Sequence, residues 1–123
     1  MAERRIAKRF RALDGALAAL SPESGRVGQI QNISLHGLAF QYIADDPDEM
    51  TIPETVKLQI MFAGEGVWLE GVPVKWVADI DIPTTTSFSR IPIRQTSLQF
   101  KALTDVQKTR LQEFIRRYTR SNN

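Results

Sequence analysis

Val56-Lys57-Leu58-Gln59-Ile60-Met61-Phe62 is the stretch that decides the fold class. Val56, Leu58, Ile60 and Phe62 are large and apolar, and Lys57, Gln59 and Met61 alternate with them. A period of two places successive side chains on opposite faces, so this segment reads as a strand with one face on a core. Ala63-Gly64-Glu65-Gly66 follows and reads as a hairpin loop. The chain then returns through a long strand, Val67 to Val77, in which Gly71 and Pro73 predict a bulge or an edge position.

The same reading extends outward in both directions. Upstream, Leu38, Phe40 and Tyr42 alternate with Ala39, Gln41 and Ile43. Arg26 to Ile33 precedes them as a strand. Before it come the loop-forming Ser21-Pro22-Glu23-Ser24-Gly25, a short strand from Ala16 to Leu20, and the turn signal Asp14-Gly15. Downstream, residues 79–90, with Pro83 and a run of threonines and serines, read as a long polar loop, and Ile91 to Lys101 as the last strand. Six strands without intervening helices predict an antiparallel β-barrel or sandwich. One helix closes the chain. Thr104 and Gln107 have the spacing of a capping box, and Leu111, Phe114, Ile115 and Tyr118 fall on one stripe. Arg110, Arg116, Arg117 and Arg120 lie toward its C-terminal half, where the helix dipole favours cations. The helix is expected to cover an open end of the barrel.

The chain has 123 residues, 42% hydrophobic and 24% charged, which fits one globular domain rather than a disordered segment. It contains no cysteine, so disulfides, thiolate zinc sites and cysteine nucleophiles are all absent. No apolar run is long enough for a transmembrane helix, and the charged N-terminus has no secretory core, so no membrane insertion and a cytoplasmic location are expected. The net charge of +2 is unevenly spread. Arg4, Arg5, Lys8, Arg9 and Arg11 crowd the N-terminus, and a second basic group lies in the terminal helix. Asp45, Asp46, Asp48, Glu49 and Glu54 form an acidic cluster between them. Basic ends suit an anionic ligand or partner.

Residues 1–12 lack an apolar period and read as a mobile basic arm, leaving 13–102 for the barrel and 104–119 for the helix. The arm carries Arg5-Ile6-Ala7-Lys8-Arg9, an RxxxR pattern preceded by Arg4. The same spacing recurs at Arg90/Arg94 and Arg116/Arg120, so alone it specifies little. Asn32-Ile33-Ser34-Leu35-His36-Gly37, an NxSxxG pattern at a strand-to-strand turn, is far rarer by chance.

The order and placement of the two motifs resemble the PilZ domain family. The resemblance spans nearly the whole chain, including the late strand ending Leu98-Gln99-Phe100 and the helix after it. It implies a six-stranded antiparallel barrel of PilZ type with a C-terminal helix. It also implies a cyclic di-GMP site on the barrel's outside, with Arg5 and Arg9 from the arm and Asn32, Ser34 and Gly37 from the turn. The long loop at 79–90 is a departure from the family's minimal pattern.

The residue chemistry suits such a ligand. Cyclic di-GMP is a compact dianion with two guanines. An arginine fork can donate two parallel hydrogen bonds to guanine O6 and N7, and its plane can stack on a base. Asn32 and Ser34 offer short polar groups, and Gly37 is expected to permit positive φ and close approach of backbone to ligand. Arg4 is a further candidate, able to hold a second ligand molecule, and His36 lies within the turn.

Enzyme readings find no support. His36 is two residues from Ser34 with no nucleophile turn, and no glycine-rich phosphate loop occurs. The single histidine, without cysteine, provides no metal site, and no cofactor is expected besides the ligand. A receptor of this size would signal to a separate, downstream protein. Two alternatives rank below it: a ligand-independent PilZ-type interaction module, and a small barrel binding single-stranded nucleic acid.

Overall fold

The computed structural model describes residues 8–20, 26–43, 56–82 and 92–120. Eight strands and one helix follow in order: β1 Phe10–Ala12, β2 Ala16–Leu20, β3 Val27–Ile33, β4 Gly37–Ile43, β5 Lys57–Phe62, β6 Gly66–Ile82, β7 Ile93–Phe100, α1 Asp105–Tyr118 and β8 Thr119–Arg120. All pairings are antiparallel. Strands β2-β5-β6-β7-β4-β3 run edge to edge, and a β2–β3 pairing closes them into a six-stranded barrel. The mainly β barrel with one C-terminal helix is the architecture the family resemblance implied; the alternation alone left barrel and sandwich both open.

The inward positions explain the closure. Ala16, Ala18 and Leu20 of β2, Leu58 and Ile60 of β5, Val72 and Val74 of β6 and Leu38 and Phe40 of β4 all lie in the buried core. Between them Leu17, Ala19, Gln59 and Pro73 alternate to the outer face and are only partly buried, as in a sheet with one wet face. The β5–β6 hairpin turns through Ala63-Gly64-Glu65, with Glu65 N donating to Phe62 O at 2.9 Å.

Helix α1 begins as its capping box dictates. Thr104 Oγ1 accepts from Gln107 N at 3.0 Å, and Gln107 Oε1 accepts from Thr104 N at 3.1 Å. Its stripe delivers Leu111, Phe114 and Ile115 to the core, each burial stabilising by about 1.5–3 kcal/mol. Tyr118 stacks on Phe62 with centroids 4.0 Å apart. The end of β5, the end of β7 and the β3–β4 turn all lie at one barrel end, and α1 covers it.

Two stretches differ from the sequence reading. Residues 79–82, expected to open a polar loop, continue β6, and Asp79, Ile80, Asp81 and Ile82 pair with Thr96, Gln95, Arg94 and Ile93. Their carboxylates hid the strand, yet β7 supplies them with partners. Phe10–Ala12, read as the end of a mobile arm, form β1, paired with β3 on one side and β8 on the other. A three-residue strand is too short for periodicity to betray.

The expected irregularity in β6 occurs at Gly71, which has φ +65°. Leu58 pairs with Val72 and Ile60 with Leu69, so β6 carries one extra residue there. Pro73 is not at an edge; it lies opposite Lys57, and its carbonyl accepts from Lys101 N at 2.9 Å. The segment 21–25, the acidic cluster and residues 83–90 lie outside the described residues.

Candidate functional site

The NxSxxG turn is built before it can bind anything. Ser34 N donates to Gly37 O at 2.8 Å and closes the β3–β4 connection. The Ser34 hydroxyl accepts from His36 N at 3.0 Å and from Gly37 N at 3.3 Å. Ser34 is buried, so its side chain braces the turn instead of projecting outward. Phe100 N donates to His36 O at 2.7 Å, tying the turn to the end of β7.

Gly37 serves a different purpose from the one expected. Positive φ was the expected reason for glycine, but Gly37 is not among the positive-φ glycines. Instead, a Cβ at this position would lie 2.1 Å from the Leu98 carbonyl oxygen. Glycine is needed because β4 and β7 approach each other too closely for any side chain.

Asn32 faces outward because β3 is bulged. Ile30 pairs with Phe40 and Asn32 with Ala39, so Gln31 is an extra residue against β4. Simple alternation would send Ile30 and Asn32 to the same side. The bulge lets Ile30 and Ile33 both bury, at 1% and 0% exposure, while Asn32 turns out. The Arg9 guanidinium donates to the Asn32 Oδ1. The two motifs therefore meet on the barrel's outer surface. Arg9 is exposed and Asn32 half-buried.

Gln29 holds the surroundings of this meeting point. Its Nε2 donates to Leu13 O and Ile30 O, both at 2.9 Å, and its Oε1 accepts from Gly15 N at 3.0 Å. One side chain thus fixes the bend between β1 and β2, where Gly15 has φ +100°. The sequence contains no signal for this role, because Gln29 and the bend are joined only by barrel closure.

His36 is exposed at the rim of a groove of about 270 Å³ between the turn and α1, with Leu35, Leu103, Lys101 and Lys108 among its walls. It is not joined to Arg9 or Asn32 by any hydrogen bond among the described residues. Arg4 and Arg5 lie outside the described residues.

A second polar cluster, which the sequence does not announce, lies at the barrel end opposite α1. Asp79 Oδ1 accepts from Arg94 Nε at 2.8 Å, and its Oδ2 accepts from Tyr42 Oη at 2.7 Å and Thr96 Oγ1 at 3.3 Å. Arg26 Nε donates to Tyr42 Oη at 3.2 Å, and its guanidinium lies over the Tyr42 and Trp76 rings. The hydrogen bond to Asp79 raises the Arg94 pKa above its already high ordinary value, so Arg94 stays charged. This network is satisfied internally and reads as a structural plug.

No protein-family model matches the sequence, and no curated protein matches it either. The structure does find similar solved structures. The PilZ domain of YcgR from Escherichia coli, with c-di-GMP, superposes with a TM-score of 0.66 at 14% identity, covering 92% of this chain and 89% of that one. The K. pneumonia MrkH–c-di-GMP complex superposes with a TM-score of 0.64 at 20% identity, covering 93% of this chain. K. pneumonia MrkH in its apo state gives 0.63 at 19%. The chain spans about half of MrkH, 52% in the complex. Likeness at such low identity speaks to architecture, and by architecture this chain has the fold of a PilZ domain.

Proposed function

We propose that this chain is a cyclic di-GMP receptor that binds its ligand on the outer face of the barrel, between the N-terminal arm and the β3–β4 turn. The observation that carries this reading is the Arg9–Asn32 hydrogen bond. Two motifs separated by more than twenty residues are brought into contact on the barrel's solvent-facing surface. Solved structures of the same fold carrying c-di-GMP support the choice of ligand.

In this reading Arg5 and Arg9 are the main partners of the guanines, each fork worth about 1–3 kcal/mol of base discrimination. Arg9 is held by Asn32 in advance, which reduces the side-chain entropy lost on binding. Asn32 then offers its carboxamide to a base edge or phosphate. Ser34 and Gly37 form the rigid floor, Ser34 by bracing the turn and Gly37 by admitting the close β4–β7 approach. Arg4 is a candidate for a second, stacked ligand molecule, and His36 for a peripheral contact. Ordering of the arm would create a composite surface read by a separate partner protein.

Calorimetric titration of the purified chain with cyclic di-GMP, beside an Arg5→Ala/Arg9→Ala double variant, tests the assignment. Saturable binding by the wild type, lost in the variant, is expected. A folded wild-type protein that takes up no ligand overturns the reading and returns the chain to the class of interaction modules. Saturation at one ligand per chain would remove the role given to Arg4.

A further inference from the structure

Strand register assembles more of the outer face than the two motifs name. Arg11 of β1 pairs with Asn32 of β3 on one side and with Arg120 of β8 on the other. Residues directly opposite in an antiparallel pair project to the same face. Arg120, Arg11 and Asn32 therefore stand in one row. The row continues through Ala39 of β4 to Ser97 of β7. The next row, Phe10, Ile33, Leu38 and Leu98, faces the core, with Ile33 and Leu38 fully buried, so the Arg11 row faces out. Beyond Asn32 this outward row holds small residues, Ala39, Ser97 and then Ala78 of β6.

Arg11 opposite Arg120 is a like-charge cross-strand pair, an arrangement that destabilises a sheet. Both residues are exposed, and neither takes part in an ion pair among the described residues. Arg9 adds a third guanidinium beside Asn32. Nothing in the fold itself is gained by concentrating this charge at one end of the row. An anion placed there would relieve the repulsion and gain charge-assisted hydrogen bonds.

We propose that Arg11 and Arg120 are ligand contacts of the same site, directed at the phosphates of the cyclic dinucleotide. This rests on the receptor reading above and extends it by two residues that belong to neither motif. The consequence is structural as well as chemical. Arg120 follows α1 after a single intervening residue, and Leu13 N donates to Tyr118 O at 2.8 Å beside it. A phosphate held by Arg120 is tied to the last turn of the helix, so the helix that covers the barrel end is joined directly to the ligand.

The test uses the full chain as wild type, Arg11→Gln and Arg120→Gln, each titrated calorimetrically with cyclic di-GMP at low and high salt and melted without ligand. The expected result is binding weakened roughly fivefold to tenfold by each substitution, the scale of one charge-assisted hydrogen bond partly screened by solvent. The salt dependence should be shallower in both variants. The ligand-free variants should melt at the same or a higher temperature than wild type, since the like-charge pair is relieved. Wild-type binding with unchanged affinity in both variants overturns this inference and leaves the receptor reading standing. Weakened binding accompanied by a lower ligand-free melting temperature also overturns it, because the residues would then be acting through the fold. Absence of wild-type binding overturns both readings together.

Discussion

Between Ile30 and Ile33, both turned into the core, lie two residues where strict alternation would place an even count on opposite faces. Gln31 absorbs the mismatch as a bulge, and Asn32 is thereby aimed at Arg9. Ser34 and Gly37 work beside it without facing solvent, one through hydroxyl bonds within the turn and the other through the space a missing Cβ leaves. The motif is thus divided: one outward-facing residue and two that build the support. Gly37→Ala is expected to destabilise the domain by about 2–3 kcal/mol or more, because the new methyl meets the Leu98 carbonyl, which belongs to a paired strand and cannot retreat freely. Urea denaturation of the ligand-free variant measures this. A loss of ligand binding with unchanged denaturation midpoint would mean that Gly37 acts on the ligand directly.

At the scale of the element, α1 is the part in which local chemistry and observed structure agree most closely. Its capping box, its apolar stripe and its basic last turn are all present as the residues dictate. Thr104→Ala should lower stability by about 1 kcal/mol, since the N-terminal amide of Gln107 loses its acceptor. Thermal melting checks it, and a Thr104→Ser variant should restore most of the loss. Strand β6 is the opposite case. Its last residues, Asp79 to Ile82, carry the composition of a loop, and only β7 alongside makes them a strand. Strand β1 likewise exists because β3 and β8 flank it; no three-residue window could announce it.

Across the whole molecule, the barrel is held at its two ends by different means. One end is capped by the aromatic cluster of Phe62, Trp68, Phe114 and Tyr118 beneath α1. The other is plugged by Asp79, Arg94, Tyr42 and Thr96. The Asp79 side chain is only 4% exposed and that of Arg94 12%. Asp79→Ala should therefore cost about 1–3 kcal/mol by leaving Tyr42 and Thr96 without their buried acceptor, while Arg94 keeps its ion pair with Asp81. Chemical denaturation of the variant tests this. The ligand-binding affinity of the remaining folded protein should be unchanged, because the plug and the Arg9–Asn32 face lie at opposite ends of the barrel. An affinity that falls with the plug would show that the two ends are coupled.

The sequence by itself determined the β class, the helix with its caps, and the identity of the residues in the two motifs. These depend on periods of two and 3.6 residues and on contacts within one turn, which are local and leave a direct trace in residue order. Only the tertiary structure decided that β2 pairs with β3 to close the barrel, that Gln31 is a bulge, that Gln29 pins the β1–β2 bend, and that Arg11 and Arg120 share a row with Asn32. Each of these depends on which distant strand lies alongside. Strand pairing joins residues far apart in the chain through backbone groups that every residue carries alike, so no residue type records its partner in advance.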